Sequence, residues 1–209
     1  MIVEPRQEDW ILARKIHDTF RKKPGAQHIA TAFALAHLSR ILNTEKPRKV
    51  LELGAGIGTI TYLLASHPCA PGKIVSTEEN AFCLGQLERN IPPEYMSKVD
   101  LVTVPEEIVH LDERFDLVIF DSSHDEFDIS NLLKEGAICF VEGSRKPTRK
   151  SIREKLERIG MRCDFTNHTQ GRKLVHVYTR RWNILGLSIP KIRFFKSIKG
   201  CWIGRVERI

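Results

Sequence analysis

The sequence predicts an α/β domain: a mostly parallel seven-stranded sheet with helices on both faces and an antiparallel hairpin at its C-terminal edge. Three observations carry this reading. Short apolar runs alternate with segments whose apolar residues recur at helical spacing, from residue 49 to residue 179. The first run ends in Gly54, Gly56 and Gly58, directly before a helical segment. The last two runs are separated only by the polar stretch 167–172, too short for the crossover that parallel strands require.

The elements follow in order. Residues 8–20 and 27–42 read as helices broken at Lys23, Pro24 and Gly25, so two helices precede the first strand. Residues 49–53 form an apolar strand pattern, 57–66 a helix, 73–77 a strand and 81–90 a helix. Strands follow at 99–104 and at the strongly apolar 115–120, then the end of a helical segment at 130–133 and a strand at 137–141. A helix at 148–159 leads to two closing strands, 161–166 and 173–179, expected to pair as the edge hairpin. Beyond Arg180, residues 192–196 and 201–205 flank Lys199 and Gly200 and suggest a second hairpin outside the core. The expected organisation is N-terminal helices at 1–45, a core at 46–180 and a basic, aromatic extension at 181–209.

Composition narrows the function classes. Hydrophobic residues at 42% and charged residues at 28% exclude disordered, collagen-like and disulfide-scaffold chains. No apolar run approaches the roughly 20 residues that cross a bilayer, and Glu4, Arg6, Glu8 and Asp9 interrupt the N-terminus, so we expect no membrane span and a cytoplasmic location. Five scattered cysteines without a C-x-x-C pair read as reduced thiols. The net charge of +7 is unevenly placed. Residues 1–141 carry 15 Lys and Arg against 21 Asp and Glu, whereas residues 142–209 carry 18 against 5. That asymmetry points to an anionic partner or to a solvated basic face.

The glycine turn is the strongest chemical signal. A nicotinamide-binding fingerprint needs a glycine at position 59, where Thr59 stands; the spacing here is G-x-G-x-G. Glu52, two places before the turn, suits a cationic group. Residues 52–58 thus match the (D/E)-x-G-x-G-x-G motif and resemble the class I S-adenosylmethionine-dependent methyltransferases, over about residues 27–180. The resemblance implies a Rossmann-like methyltransferase fold. It also implies S-adenosyl-L-methionine as cofactor, lying along Glu52, Gly54, Ala55, Gly56, Gly58 and Thr59. An acidic residue ending the second strand would bind the ribose hydroxyls; Glu78 is the better match by register, with Glu79 beside it. After the third strand Glu106 stands where the family often has an Asp for the adenine amino group.

The fourth strand delivers Asp121, Ser122, Ser123, His124 and Asp125 to the cofactor end of the sheet. This stretch resembles the D-x-x-(K/H) segment of small-molecule O-methyltransferases of the catechol, caffeoyl-coenzyme A and macrolide-sugar types. There the Asp holds a divalent cation and the fourth residue is the base. The resemblance implies His124 as base, Asp121 and Ser122 beside the cofactor, and Mg²⁺ on Asp121 and Glu142, although Gly143 has no side-chain oxygen to complete the family's pattern; the plainer alternative has Asp121 capping the next turn, Glu142 pairing with Arg145 or Lys146, and His124 bonded to Asp125. The expected activity is methylation of an oxygen on a small anionic or phenolic acceptor. The alternatives are an RNA methyltransferase using the basic C-terminal third, with nucleic acid as partner, and a non-catalytic cofactor-binding protein. His28 and His37 read as packing or surface residues, and the aromatic tail as a cover for the acceptor site or a homodimer contact.

Overall fold

The computed structural model is described over residues 4–121, 128, 130–143, 145–184 and 187–209, with side chains at all of these except 105, 106, 109, 170–184 and 187–199. Its elements run in the order α1 (Gln7–Phe20), α2 (Ala32–Glu45), β1 (Lys49–Leu53), α3 (Thr59–Ser66), β2 (Lys73–Thr77), α4 (Ala81–Asn90), α5 (Pro93–Met96), β3 (Val99–Val102), β4 (Phe115–Phe120), β5 (Leu133–Glu142), α6 (Lys146–Glu157), β6 (Met161–Ile184) and β7 (Leu187–Arg208). The sheet order is β3-β2-β1-β4-β5-β7-β6. The first five strands are parallel and the last two antiparallel, as the alternation of elements predicts.

Both sheet faces are covered, which is why the strands are apolar throughout rather than alternating. Val50, Ile74, Leu117, Ile119 and Phe140 face α1, α2 and α3; Leu51, Val75, Val118 and Cys139 face the other way, toward Ile152 and Leu156 of α6. Burying each large apolar side chain of this kind contributes about 1.5–3 kcal/mol. Asp9 ties α1 to α2. It is fully buried, and its carboxylate accepts from the Arg6 N–H at 2.9 Å, Ser39 Oγ at 2.8 Å and Asn43 Nδ2 at 2.8 Å. Thr31 caps α2 by accepting from the Ala34 N–H at 3.1 Å, so this helix begins five residues later than its periodicity indicates. A single 3₁₀ turn, Ala26–His28, fills the gap.

The C-terminus departs from the expected layout. Residues 161–166 and 173–179 are not the two arms of a hairpin but parts of one long strand, β6, which pairs along its length with β7. The polar stretch 167–172 lies within β6, and Lys199 and Gly200 lie within β7. The expected extension at 181–209 therefore divides. Residues Cys201–Arg205 return to the core and pair with β5 between Ile138 and Glu142, leaving β6 as the edge strand. Gly200 and Gly204 would each bring an added Cβ within 3 Å of β6 or its Cys163, so glycine lets the two strands sit flush there. Among the described residues no helix is long and apolar enough to cross a membrane.

Candidate functional site

The strand order reverses between β1 and β4, and the crevice at the carboxyl ends of the strands beside such a reversal is where open α/β sheets hold ligands. The turn after β1 lies there. Gly54, Gly56 and Gly58 all have positive φ, at 90°, 56° and 94°. At Gly58 an added Cβ would also come within 2.9 Å of Ile91 Cδ1, so only glycine lets α3 start this close to the end of α4. The turn is stitched to β2: Thr77 O accepts from the N–H groups of Gly54 and Ala55 at 3.2 and 2.8 Å.

Glu78 closes the turn from the other side. One carboxylate oxygen accepts from the Gly56 N–H at 2.7 Å and the other from the N–H groups of Glu79 and Asn80 at 3.1 and 2.9 Å. Its neighbour Glu79 is exposed. Glu52, on β1 beneath the turn, is fully buried and accepts from Ser76 Oγ at 2.6 Å and Thr61 Oγ1 at 2.7 Å. Burial pushes its carboxyl up to about 7, against the lowering effect of those two hydroxyls.

A cavity of about 310 Å³ opens beside this turn. Its floor is the stretch from Ala55 to Ile60, its far wall comes from Asn80, Phe82 and Cys83, and Asp121 borders it from β4. Gly25 through Ala30, between α1 and α2, form the remaining wall. Gly25 has φ 84°, and a Cβ there would lie within 3 Å of Phe82 and Ile57, so this loop packs directly on the far wall. Thr59 also lines the cavity, and its hydroxyl is buried with no hydrogen-bond partner among the described residues. A buried hydroxyl of that kind costs free energy unless a ligand or water completes it.

At the ends of β4 and β5 the chemistry is different. Asp121 continues from β4, its N–H donating to Leu53 O at 3.0 Å. Its carboxylate is 2.9 Å from Arg145 Nη2, and the same guanidinium lies 3.9 Å from Glu142 Oε2 and donates through Nε to Glu142 O at 3.0 Å. Burial pushes both carboxyls up, the neighbouring Glu142 adds to the effect at Asp121, and Arg145 opposes it at each. Two carboxylates sharing a guanidinium do not fit a divalent cation. Arg145 already stands against Asp121 as the counter-charge, and Gly143 offers no further oxygen.

The structure thus gathers Glu52, Gly54, Ala55, Gly56, Gly58, Thr59, Glu78 and Asp121 at one end of the sheet, and joins Glu142 to them through Arg145. Glu106 lies in the 3₁₀ turn Pro105–His110, with its side chain outside the described residues. Ser122 and His124 lie outside them altogether. His28, which reads from the sequence as a packing or surface residue, lines the cavity, and the sequence does not single out Gly25, Asn80, Phe82 or Cys83. The Lys23-Pro24-Gly25 break was the available signal: a glycine between two amphipathic helices, ahead of a glycine turn.

No family model matches the sequence, and no curated protein matches it significantly. Solved structures do match. An O-methyltransferase from Bacillus cereus in complex with SAH is similar at 14% identity and TM-score 0.58, over 99% of this chain and 94% of that one. Cofactor-bound Rv0187 from MTB is similar at 16% identity and TM-score 0.58, over 98% and 92%. A precorrin-6y C5,15-methyltransferase from Geobacter metallireducens is similar at 15% identity and TM-score 0.55, over 87% and 91%. The chain has the Rossmann-like fold of class I S-adenosylmethionine-dependent methyltransferases.

Proposed function

We propose that the chain is a methyltransferase that binds S-adenosyl-L-methionine in the 310 Å³ cavity and methylates an oxygen of a small anionic or phenolic acceptor. The observation that carries this is the glycine turn closed by Glu78 beside that cavity, with the unpartnered Thr59 hydroxyl on its wall. The turn gives a ligand close access to backbone, and Glu78, held by three backbone N–H donors, keeps lone-pair capacity for a ribose hydroxyl. Known structures of the same fold hold SAH or a cofactor.

When bound, the cofactor supplies an electrophilic methyl group on a sulfonium. The protein has two further tasks, to position the acceptor and to take its proton. We assign the proton to His124, three residues beyond Asp121, since an imidazole titrates near neutral pH. Arg145 is 28% exposed and holds Asp121 at the cavity's edge, so it can also receive an anionic group on the acceptor, a task that needs no metal. The five cysteines are free, consistent with a cytoplasmic enzyme.

The test is calorimetric titration with S-adenosyl-L-methionine, followed by an acceptor screen that reads S-adenosylhomocysteine. One-to-one binding and turnover on a phenolic or carboxylated acceptor are expected; absence of cofactor binding would overturn the reading. A second reading rests on the paired strands at 169–184 and 187–199, which among the described residues pair with each other, in a stretch whose residues 169–200 carry eight Lys and Arg and no Asp or Glu. A two-stranded basic ribbon suits a nucleic-acid backbone. RNA binding that falls steeply with salt, with RNA accepting the methyl group, would favour it over the small acceptor.

A further inference from the structure

Away from the cavity, on the α2 side of the sheet, three ligand-bearing side chains converge from distant parts of the chain. His37 projects from α2, His168 from β6, and Glu4 from the segment before α1. One carboxylate oxygen of Glu4 is 3.4 Å from His168 Nδ1 and the other 4.0 Å from His37 Nε2. The imidazole rings are 4.7 Å apart between centroids, and one ligand atom from each of the three residues lies within 4.8 Å of the others.

Packing alone leaves this arrangement incomplete. His37 is 0% exposed, and neither of its ring nitrogens has a hydrogen-bond partner among the described residues. Phe33 covers one side of the ring at 4.6 Å, which accounts for the imidazole as an apolar plate but not for two orphaned nitrogens.

We propose that Glu4, His37 and His168 form a binding site for a divalent transition-metal ion of the zinc class, separate from the methyl-transfer site. Two imidazoles and a carboxylate are a borderline donor set that suits such an ion and leaves a coordination position for water. Ligand atoms on a tetrahedron around zinc stand about 3.3 Å apart, so from a spread of up to 4.8 Å the cluster must close by up to about 1.5 Å. Glu4, 77% exposed and on the segment leading into α1, can supply that movement.

The location gives the ion a task. In register, Glu142 of β5 stands opposite Cys201 of β7, and Cys201 opposite His168. His168 is thus on the last core row of β6 before the self-paired ribbon, while α2 covers β7 on this face. A bound ion would tie the N-terminal segment, α2 and the base of the ribbon together. It would do so two strands away from the Glu142 and Arg145 pair.

The experiment uses the full chain without an affinity tag, stripped with a chelator and titrated with Co²⁺ as a spectroscopic substitute for Zn²⁺. One equivalent of Co²⁺ should give visible ligand-field bands without a strong thiolate charge-transfer band, Zn²⁺ should displace it, and Zn²⁺ should raise the Tm. His168→Gln, at the partly exposed ligand, should weaken binding at least about tenfold while circular dichroism stays native. Glu4→Gln should weaken it less, and Asp121→Asn should leave it unchanged. His37→Gln should abolish binding if it folds; His168→Gln keeps the test sharp if it does not. No stoichiometric binding, a thiolate band, or undiminished affinity in His168→Gln would overturn the proposal.

Discussion

The two sides of the cavity are built on different principles. The side made by β1 and β2 is held largely through backbone: Glu78 and Thr77 O accept from the N–H groups of residues 54–56, around positive-φ glycines, and Glu52 accepts from two hydroxyls beneath them. The side made by β4 and β5 is held by side chains over a similar distance in sequence: the carboxylates of Asp121 and Glu142 share the Arg145 guanidinium. A backbone-built binding surface is rigid and suited to a constant ligand. A charge network of side chains is adjustable, suited to the ligand that varies from one enzyme of a fold to another.

That contrast can be broken, and the largest effect is expected on the β4 side. His124→Ala should lower kcat by about 10²–10⁴ with cofactor affinity unchanged. Steady-state kinetics beside calorimetry reads both, and a matching loss of cofactor affinity would place His124 on the binding side instead.

Glu52 probes the β1 side through pH. Its folded carboxyl keeps a proton up to about pH 7, whereas an unfolded one releases it near 4.5. The native state therefore holds more protons across that window, and stability falls as pH rises through it, by about 3 kcal/mol from this group. In Glu52→Gln that slope should disappear. Thermal melts at pH 5 and pH 8 measure it, and an unchanged difference between parent and variant would show that Glu52 is ionised in the native protein.

Removing the carboxylate in Glu78→Ala should weaken cofactor binding by about 1–3 kcal/mol, since a ribose hydroxyl and the Gly56 N–H both lose their acceptor. Glu79→Ala, at an exposed position, is the matched control and should bind as the parent does. If the two variants lose affinity equally, the turn is not organised as described. The smallest expected effect is none: added Mg²⁺ should leave turnover unaltered, because Arg145 already neutralises the carboxylates that would hold it. Strong activation by Mg²⁺ would show that the guanidinium yields its place.

Local pattern decided the parts of this molecule that depend on neighbours in the chain. The β1 strand, the glycine turn and α3 are legible from residues 49–66 because buried strands must be apolar on both faces and because the turn needs glycine at positive φ. Glu78 was legible for the same reason: it follows β2 directly, so its position at the turn is a matter of register. The pairing of residue 201 with residues 142 and 168 was not. The tail's apolar and basic residues fit a hairpin turning at Lys199 and Gly200 as well as they fit a strand passing through them; only the empty slot beside β5 selects the second. Pairing of Arg145 with Glu142, three residues before it, is open to the sequence; its bond to Asp121 across β4 is not, nor is the meeting of Glu4, His37 and His168. Electrostatic partners and ligand sets act through distance in space, and residues 4, 37 and 168 carry no shared spacing that a periodic reading could detect.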